Sequence, residues 1–576
     1  MRLKRIELHD DFGSLKSGFS LDFIKEPPRD NSAIEPYCVV GRNGSGKSNI
    51  LELLSAIFYQ VEIQHLNFLP KEIDPPYVDN KKQKYISNKE HEYVDNREYK
   101  ELKIFQEFTK NSKYKIKPEK YKLQYYITNQ NNDEILVTIE RKPKKDIMVS
   151  IEDNTGQSLY LLADDVKEYL PSYILGYSSG QNEILSLPFY KMRLIQHDEY
   201  LDDYLAKDIR FKNPESRMIY LDDVFSQAIF ITNFIYGDEK VNKVFKETIG
   251  VKSVESFRIV IKDDIDTRVV VEVKEKGKKG TQLKERSRFL KDQIAEQIEK
   301  LKSCATMDYR NEKTKDLSLD YYLDDNLKEA FTLQFGIGKE GRLTLFQTFQ
   351  TLINLNYYHV DVETKKKLYE SKSLFAKGYL PQASWNKRFF TFKNFMLKKK
   401  GLDEPVYSKS LSDGEYQFLH SIGLALIYRD TQSLFLLDEP ETHFNPSWRA
   451  EYMSVLRKCF SSKEDEKAYA KAEFLITSHS PFIVSDTRRE KVLIFSKDLE
   501  DGSVDCKRPE FNTLGTSVNL ITMNIFDETN TIGKFAQEVL KEYKKKLRKS
   551  KNKKEVLEEL ESIIGRSIET MEFFKK

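Results

Sequence analysis

Cysteine is scarce in this chain: four in 576 residues, Cys38, Cys304, Cys459 and Cys506. They lie far apart, and none stands at the close spacing of a metal-ligand pair, so they read as reduced thiols of a cytosolic protein. Long apolar runs are missing too. None reaches the roughly 18 residues that a membrane helix needs, and Met1-Arg2-Leu3-Lys4-Arg5-Ile6-Glu7-Leu8 alternates polar and apolar as a strand does, unlike a signal peptide. The expectation is a cytoplasmic protein with no membrane partner. Neither sign of charge dominates: 94 Lys and Arg against 91 Asp and Glu give +3, so bulk charge does not by itself imply nucleic acid. Sustained heptads are absent, which argues against a long coiled coil. Internal repeats are absent as well. What remains is a long chain, 39% hydrophobic and 32% charged, enough for about three to four domain-sized units or one domain with large insertions.

The most informative stretch is Gly41-Arg42-Asn43-Gly44-Ser45-Gly46-Lys47-Ser48. It fits the phosphate-binding pattern G-x-x-x-x-G-K-[ST] and has the context that pattern requires. The apolar run Cys38-Val39-Val40 precedes it and a helical pattern from Asn49 to Phe58 follows. Small residues let backbone N–H groups curl round a phosphate, and the helix start adds positive potential. The candidate nucleotide-binding residues are therefore Arg42, Asn43, Gly44, Ser45, Gly46, Lys47, Ser48 and Asn49. Lys47 would reach the outer phosphates of ATP, and the Ser48 hydroxyl would ligate Mg²⁺.

The rest of the chain is uneven. Leu3, Ile6 and Leu8 open one strand and Phe19 to Phe23 reads as another. From Asn67 to about Tyr169 the sequence is Lys-rich with strand-like pieces, Tyr121 to Thr128 and Glu134 to Glu140, around a loop tip at Lys142-Pro143-Lys144-Lys145. Ser172 to Tyr177 reads as a buried strand, and Ser178-Ser179-Gly180-Gln181 as the polar loop at its end. A loop in that place faces the phosphates of a nucleotide-binding sheet, so Gln181 is a candidate contact to Mg²⁺ or to the attacking water; an ordinary strand-end turn is the alternative. Between Tyr190 and Gly401, Tyr220 to Tyr236 and Arg286 to Leu301 have helical spacing. Arg258 to Ile261 and Arg268 to Val273 read as paired strands, and Gly277 to Gly280 as a flexible basic loop.

A second cluster of motifs lies near residues 400–500. Ser412-Asp413-Gly414-Glu415 precedes an apolar helix, with Ser412 capping and Glu415 completing a capping box. The same helix start is a second anion site. Leu434 to Leu437 marks a buried strand that ends in Asp438 and Glu439. Carboxylates are costly in a core. Asp438 suits Mg²⁺, and Glu439 suits general-base positioning of the water that attacks the γ-phosphate. Phe474 to Thr477 repeats the arrangement, with His479 placed to sense that phosphate.

Taken in order, these stretches resemble the ABC-type ATPases of the SMC, RecF and OLD kind. Gly41–Ser48 matches the Walker A loop, Leu411–Glu415 the signature, Leu434–Glu439 the Walker B strand, His443–Pro446 the D-loop position, His479 the switch histidine and Ser172–Glu183 a Q-loop. The resemblance implies an α/β fold: an ABC-type (RecA-like) ATPase head with large mixed α+β insertions and a helical C-terminal region. It implies a head-to-head dimer that sandwiches ATP, with Ser412 and Gly414 acting in trans. The run Tyr177 to Phe189 looks like the restriction-system-associated ATPases akin to the PtuA ATPase of Septu and retron anti-phage systems. That likeness implies a sensor or scaffold working with a separate HNH nuclease, PtuB-like, and in a retron with a reverse transcriptase and its RNA–DNA hybrid. A RecF- or SMC-like DNA-repair ATPase binding DNA directly is the alternative, and a transporter nucleotide-binding subunit a third.

The division expected is a head with Walker A over residues 1–66, a β-rich insertion over 67–170, a head strand with its Q-loop-like segment over 171–189, and a helical or mixed insertion over 190–400. The second part of the head follows over 401–510, and a helical C-terminal region over 511–576. Within the last two, Val492 to Ser496 reads as the last core strand, Phe511 to Phe526 and Thr531 to Arg548 as helices, and Lys553 to Phe574 as an amphipathic helix. The basic run Lys544 to Lys554 fits a solvated linker or a nucleic-acid contact. Neither an HNH-type Cys/His cluster nor a TOPRIM-type acidic set is apparent, which leaves nuclease chemistry to a partner.

Overall fold

The computed structural model describes residues 1–23, 34–65, 117–205, 217–360, 388–460 and 472–571, with short interruptions at 130, 132, 144, 153–155, 157, 180–184, 222, 263–268, 276–277, 285–286, 529–531 and 568, and also Thr364 and Leu368. The N-terminal part runs β1 (Arg2–Leu8), β2 (Ser20–Asp22), β3 (Tyr37–Val40), α1 (Lys47–Gln64), β4 (Tyr121–Thr128), β5 (Glu134–Arg141), β6 (Ile147–Glu152), β7 (Ser158–Tyr160) and β8 (Tyr173–Ser178). The middle runs α2 (Ser186–Leu205), β9 (Met218–Leu221), α3 (Ser226–Tyr236), β10 (Val251–Ile261), β11 (Val269–Glu275), β12 (Lys278–Lys284), α4 (Ser287–Cys304), β13 (Met307–Arg310), β14 (Leu317–Tyr322), α5 (Asp325–Phe335), α6 (Gly338–Asn354), β15 (Phe390–Lys399) and β16 (Val406–Tyr407). The chain closes with α7 (Asp413–Ile427), β17 (Ser433–Asp438), α8 (Pro446–Phe460), β18 (Glu473–Thr477), β19 (Val492–Lys497), β20 (Val504–Lys507), α9 (Val518–Ile525), α10 (Lys534–Lys549) and α11 (Lys553–Ile563). Single-turn helices lie between some of these elements.

The organising layer is a seven-stranded sheet in the order β20-β19-β3-β18-β17-β8-β9. All neighbours are parallel except β19 and β20. A parallel sheet needs cover on both faces, so its strands are nearly continuous apolar runs. The two-residue alternation then sorts them. Cys38, Val40, Leu175, Tyr177, Phe435, Leu437, Phe474 and Ile476 join one hydrophobic cluster with α3, α7 and α8. Tyr37, Val39, Ile174, Leu434, Leu436 and Leu475 join the other, with α1 and α2.

The second layer is a six-stranded antiparallel sheet, β2-β1-β4-β5-β6-β7. The N-terminal strand pairs with β4 from Arg2↔Tyr126 to Leu8↔Tyr121. Strands on either side of α1 in sequence thus make one sheet, and α1 is enclosed between it and the parallel sheet, with all but a few of its residues buried. Phe58 of α1 meets Tyr125 at 6.0 Å between ring centroids.

A third sheet, β13-β14-β10-β15-β16, packs with α3, α5 and α6. Here the sequence pairing is corrected. β10 pairs with β14 and β15, and β11 pairs with β12 instead of β10. The Gly277 to Gly280 stretch is no loop at its end, since Gly280 sits in β12 opposite Val273. Val492–Lys497 is not the last strand of the main sheet; β20 adds an antiparallel edge through Ile494↔Lys507. The final helix also stops early, at Ile563, ahead of Gly565. No helix among the described residues is long and apolar enough to cross a membrane.

Candidate nucleotide site

Parallel strands carry their ligand loops at the carboxyl ends, and four such ends converge here. β3 ends at Val40 and runs into the Gly41–Ser48 loop. β17 ends in Asp438, β18 in Thr477 and β8 in Ser178, with Asp438 paired to both Thr477 and Ser178 across the sheet. The loop's first residue has to be glycine. Gly41 has φ +149°, and a Cβ there would lie 2.2 Å from the Phe495 carbonyl oxygen. The loop consequently presses against β19 and turns directly into the first turn of α1, whose N–H groups point at the same edge.

Lys47 is buried, and its amine donates to the carbonyls of Gly41 at 3.2 Å and Arg42 at 3.1 Å. Burial lowers its pKa, while the nearby carboxylates of Glu439 and Asp438 pull it back up. The Ser48 hydroxyl donates to Asp438 Oδ1 at 2.9 Å. That oxygen also accepts from Thr477 Oγ1 at 2.6 Å, and Asp438 Oδ2 accepts from Ser178 Oγ at 3.3 Å. One carboxylate thus gathers hydroxyls from three separate strand or helix ends. Ser45 Oγ is buried with no hydrogen-bond partner among the described residues, a donor aimed into the loop.

Glu439 follows directly. Its φ is +48°, an unusual left-handed conformation for a non-glycine residue that is held by its N–H bonds to the Thr477 carbonyl (3.1 Å) and hydroxyl (3.0 Å). Its Oε1 lies 3.3 Å from His479 Nε2. The His479 hydrogen bond holds the Glu439 carboxyl below the usual range against the opposing effect of partial burial. The site therefore keeps an ionised carboxylate beside an imidazole, at the mouth of the phosphate loop.

Other predicted residues stand apart from these contacts. Ser412 caps α7, and Glu415 closes the capping box while pairing with Lys399 at 2.6 Å. Their side-chain hydrogen bonds remain within the cap and that pair. Gly414 packs instead on the loop after β17, where a Cβ would lie 2.7 Å from the His443 carbonyl oxygen. Asn43 and Gly44 are exposed at the loop tip, and Asn49 bonds Ser14 and Glu52. Gln181 lies outside the described residues.

The sequence reading missed several groups at this edge. Arg42 pairs with Asp527 (3.2 Å), and the Phe526 ring lies 6.3 Å from the His479 ring between centroids, both from the segment after α9. Glu441 is buried and accepts from Ser478. Glu52, four residues along α1 from Ser48, has its carboxyl pushed up to about 7 by burial. Of these, Glu52 carried a sequence signal: a lone acid within the apolar run Ile50-Leu51-Glu52-Leu53-Leu54.

Residues 203–485 match the family described as "AAA domain, putative AbiEii toxin, Type IV TA system". The matched stretch covers the middle region, α7, β17 and β18, while the phosphate loop lies ahead of it. No curated protein matches the chain. Among solved structures, an SMC head bound to the C-terminal winged-helix domain of ScpA is 11% identical at a TM-score of 0.30, covering 88% of this chain and 98% of that one. The recombination mediator RecF with ATPrS is 14% identical at a TM-score of 0.27, covering 88% and 97%. RecF with ATP is 14% identical at a TM-score of 0.24, covering 83% and 94%.

Proposed function

We propose that the protein is an ABC-type ATPase that binds ATP with Mg²⁺ and hydrolyses it. The observation that carries this reading is the convergence of Ser48, Asp438, Glu439 and His479 on the phosphate loop. The donor set fits the ligand. Ser48 and Asp438 offer hard oxygens in contact with each other, and an ion of the Mg²⁺ type takes one or two such ligands, completing its shell with phosphate oxygens and water. Lys47, Ser45 and the first turn of α1 supply donors for the phosphates themselves. Bound there, Mg²⁺ would neutralise charge developing between the β- and γ-phosphates.

Glu439 is then the base that orients and deprotonates the attacking water, and His479 the group that fixes it and touches the γ-phosphate. Two copies of the chain complete the site, with Ser412 and Gly414 of one facing the nucleotide of the other. We further propose that this assembly regulates a separate HNH-type nuclease in anti-phage defence; a retron version would add a reverse transcriptase. The matched family's description, a toxin of a type IV toxin–antitoxin system, favours a conflict system over housekeeping DNA repair. The test is to purify the protein with the products of neighbouring genes and measure ATP turnover and nuclease activity together. Turnover without any associated nuclease would leave the ATPase and remove the defence role; no ATP binding at all would remove both.

A further inference from the structure

Three residues after Asp438 stands an acid that the hydrolytic scheme does not use. Glu441 is 3% exposed, in the loop that leaves β17 for α8. The Ser478 hydroxyl donates to its Oε1, and that hydroxyl also accepts the Ser480 N–H at 2.9 Å. Its Oε2 is buried without a hydrogen-bond partner among the described residues. The backbone around it is tied down as well. Phe444 N–H donates to the Glu441 carbonyl at 3.0 Å, and Ser478 N–H donates to the Val39 carbonyl at 3.0 Å. Ser478 directly precedes His479, and His479 holds Glu439. Glu441 is therefore a second side-chain link, beside the Glu439–His479 contact, between the loop that carries the base and the loop that carries the histidine.

We propose that Glu441, through its hydrogen bond from Ser478, is a positioning residue that sets where the His479–Glu439 pair stands relative to the phosphate loop. The inference rests on the ATPase reading above. The surroundings favour the neutral carboxyl, although the Ser478 hydroxyl, as a donor, favours the ionised form. An ionised carboxylate with one buried, unsatisfied oxygen is costly, and a second negative charge two residues from Glu439 opposes both. Burial, with a smaller effect of Glu439, raises this carboxyl to about 7. The titratable groups facing it are Glu439 on the same loop, Arg449 and Tyr452 on α8, and Cys38 on β3. Arg449 opposes the rise only weakly, and the Cys38 thiol is itself pushed well up by burial.

The test uses the full chain and four variants: E441A, E441Q, S478A and H479Q. E441A and S478A should lose about tenfold or more in kcat with KM within about threefold of the parent, because positioning of the water-activating pair is lost while the phosphate loop is intact. E441Q, neutral and of the same shape, should restore kcat and abolish the decline in rate that the parent shows as pH rises through 7. The imidazole resonance of His479, identified by its loss in H479Q, should move in E441A and stay in E441Q. A parent-like kcat in E441A, or an E441Q as impaired as E441A, would overturn the proposal. If the parent binds no ATP or fails to hydrolyse it, the ATPase reading falls, yet the His479 resonance still decides this point: unchanged in E441A, it overturns the link.

Discussion

Glu439→Gln separates stability from chemistry more cleanly than any other change at this site. The side chain makes one charged contact, to His479 at 3.3 Å, and both groups are about a third exposed or more. A pair that open to solvent contributes well under about 1 kcal/mol. The unusual backbone of Glu439 is held by Thr477 and is indifferent to the side-chain swap. The folded protein should therefore melt within a degree or two of the parent. Turnover is another matter. Removing a positioned general base typically costs about 10²–10⁴-fold, or roughly 3–5 kcal/mol of transition-state stabilisation. ATP should still bind, because Lys47, Ser48 and Asp438 are untouched, and the closed assembly should persist with uncleaved nucleotide. The assay is steady-state phosphate release, with fluorescent-ATP binding and a thermal melt on the same samples. A variant that releases phosphate within about threefold of the parent would remove Glu439 from the mechanism.

Lys47→Ala should weaken ATP binding by about 10–100-fold, the worth of a charge-assisted phosphate contact, read by equilibrium titration, without lowering the melting temperature, since a buried amine with a lowered pKa is a cost to the fold. Gly414→Ala should lower the melting temperature, because its Cβ would lie 2.7 Å from the His443 backbone carbonyl and force α7 away from it, outweighing the roughly 0.5–1 kcal/mol by which alanine favours a helix; turnover and nucleotide-dependent dimerisation, followed by light scattering, should fall with it. Stability should decline from pH 5 to pH 8. The folded-state carboxyls of Glu441 and Glu52 are raised to about 7 from a reference of 4.5, so between those values the folded state binds more protons than the unfolded one and loses stability as pH rises. The decline should be shallower in E441Q, as measured by chemical denaturation across that range.

Much of the main sheet was legible because parallel strands covered on both faces must be short apolar runs. Val39-Val40, Leu434 to Leu437 and Phe474 to Ile476 announced themselves, and each was followed by polar residues. What the sequence concealed was pairing between distant segments. β10 reaches β15 through Val251↔Lys399, and β1 reaches β4 through Leu8↔Tyr121. Alternating strands with one solvated face look alike, so neighbours along the chain were the natural and mistaken choice for β10 and β11. The short edge strand β20, Val-Asp-Cys-Lys, has almost no apolar signal. The approach of Asp527 to Arg42 likewise has no local signature, since it depends on where α9 delivers the chain.

The segment Asp438-Glu439-Pro440-Glu441 shows how three acids so close together need not compete. Asp438 is wrapped by the hydroxyls of Ser48, Thr477 and Ser178. Glu439 is turned outward and held below the usual carboxylate range by His479. Glu441 is turned inward and raised by burial. Neighbouring carboxyls pushed apart in pKa can serve different ends. On the proposed ATPase reading, Asp438 would hold an ion, Glu439 would act as base, and Glu441, raised to about 7, would anchor a loop in its neutral form below that pH. The turn that makes this possible lies at Glu439, whose positive φ at the end of a buried strand sends its own side chain to the mouth of the site and the next acid beneath it. A proline following directly at 440 removes an N–H that this turn would otherwise have to satisfy. Pro440→Ala should therefore keep the fold but loosen the turn, and both acids should lose their distinct environments together. The coupled sign of that loss is a pH–rate profile whose two limbs move toward each other, whereas a change confined to Glu439 would shift only the acidic limb.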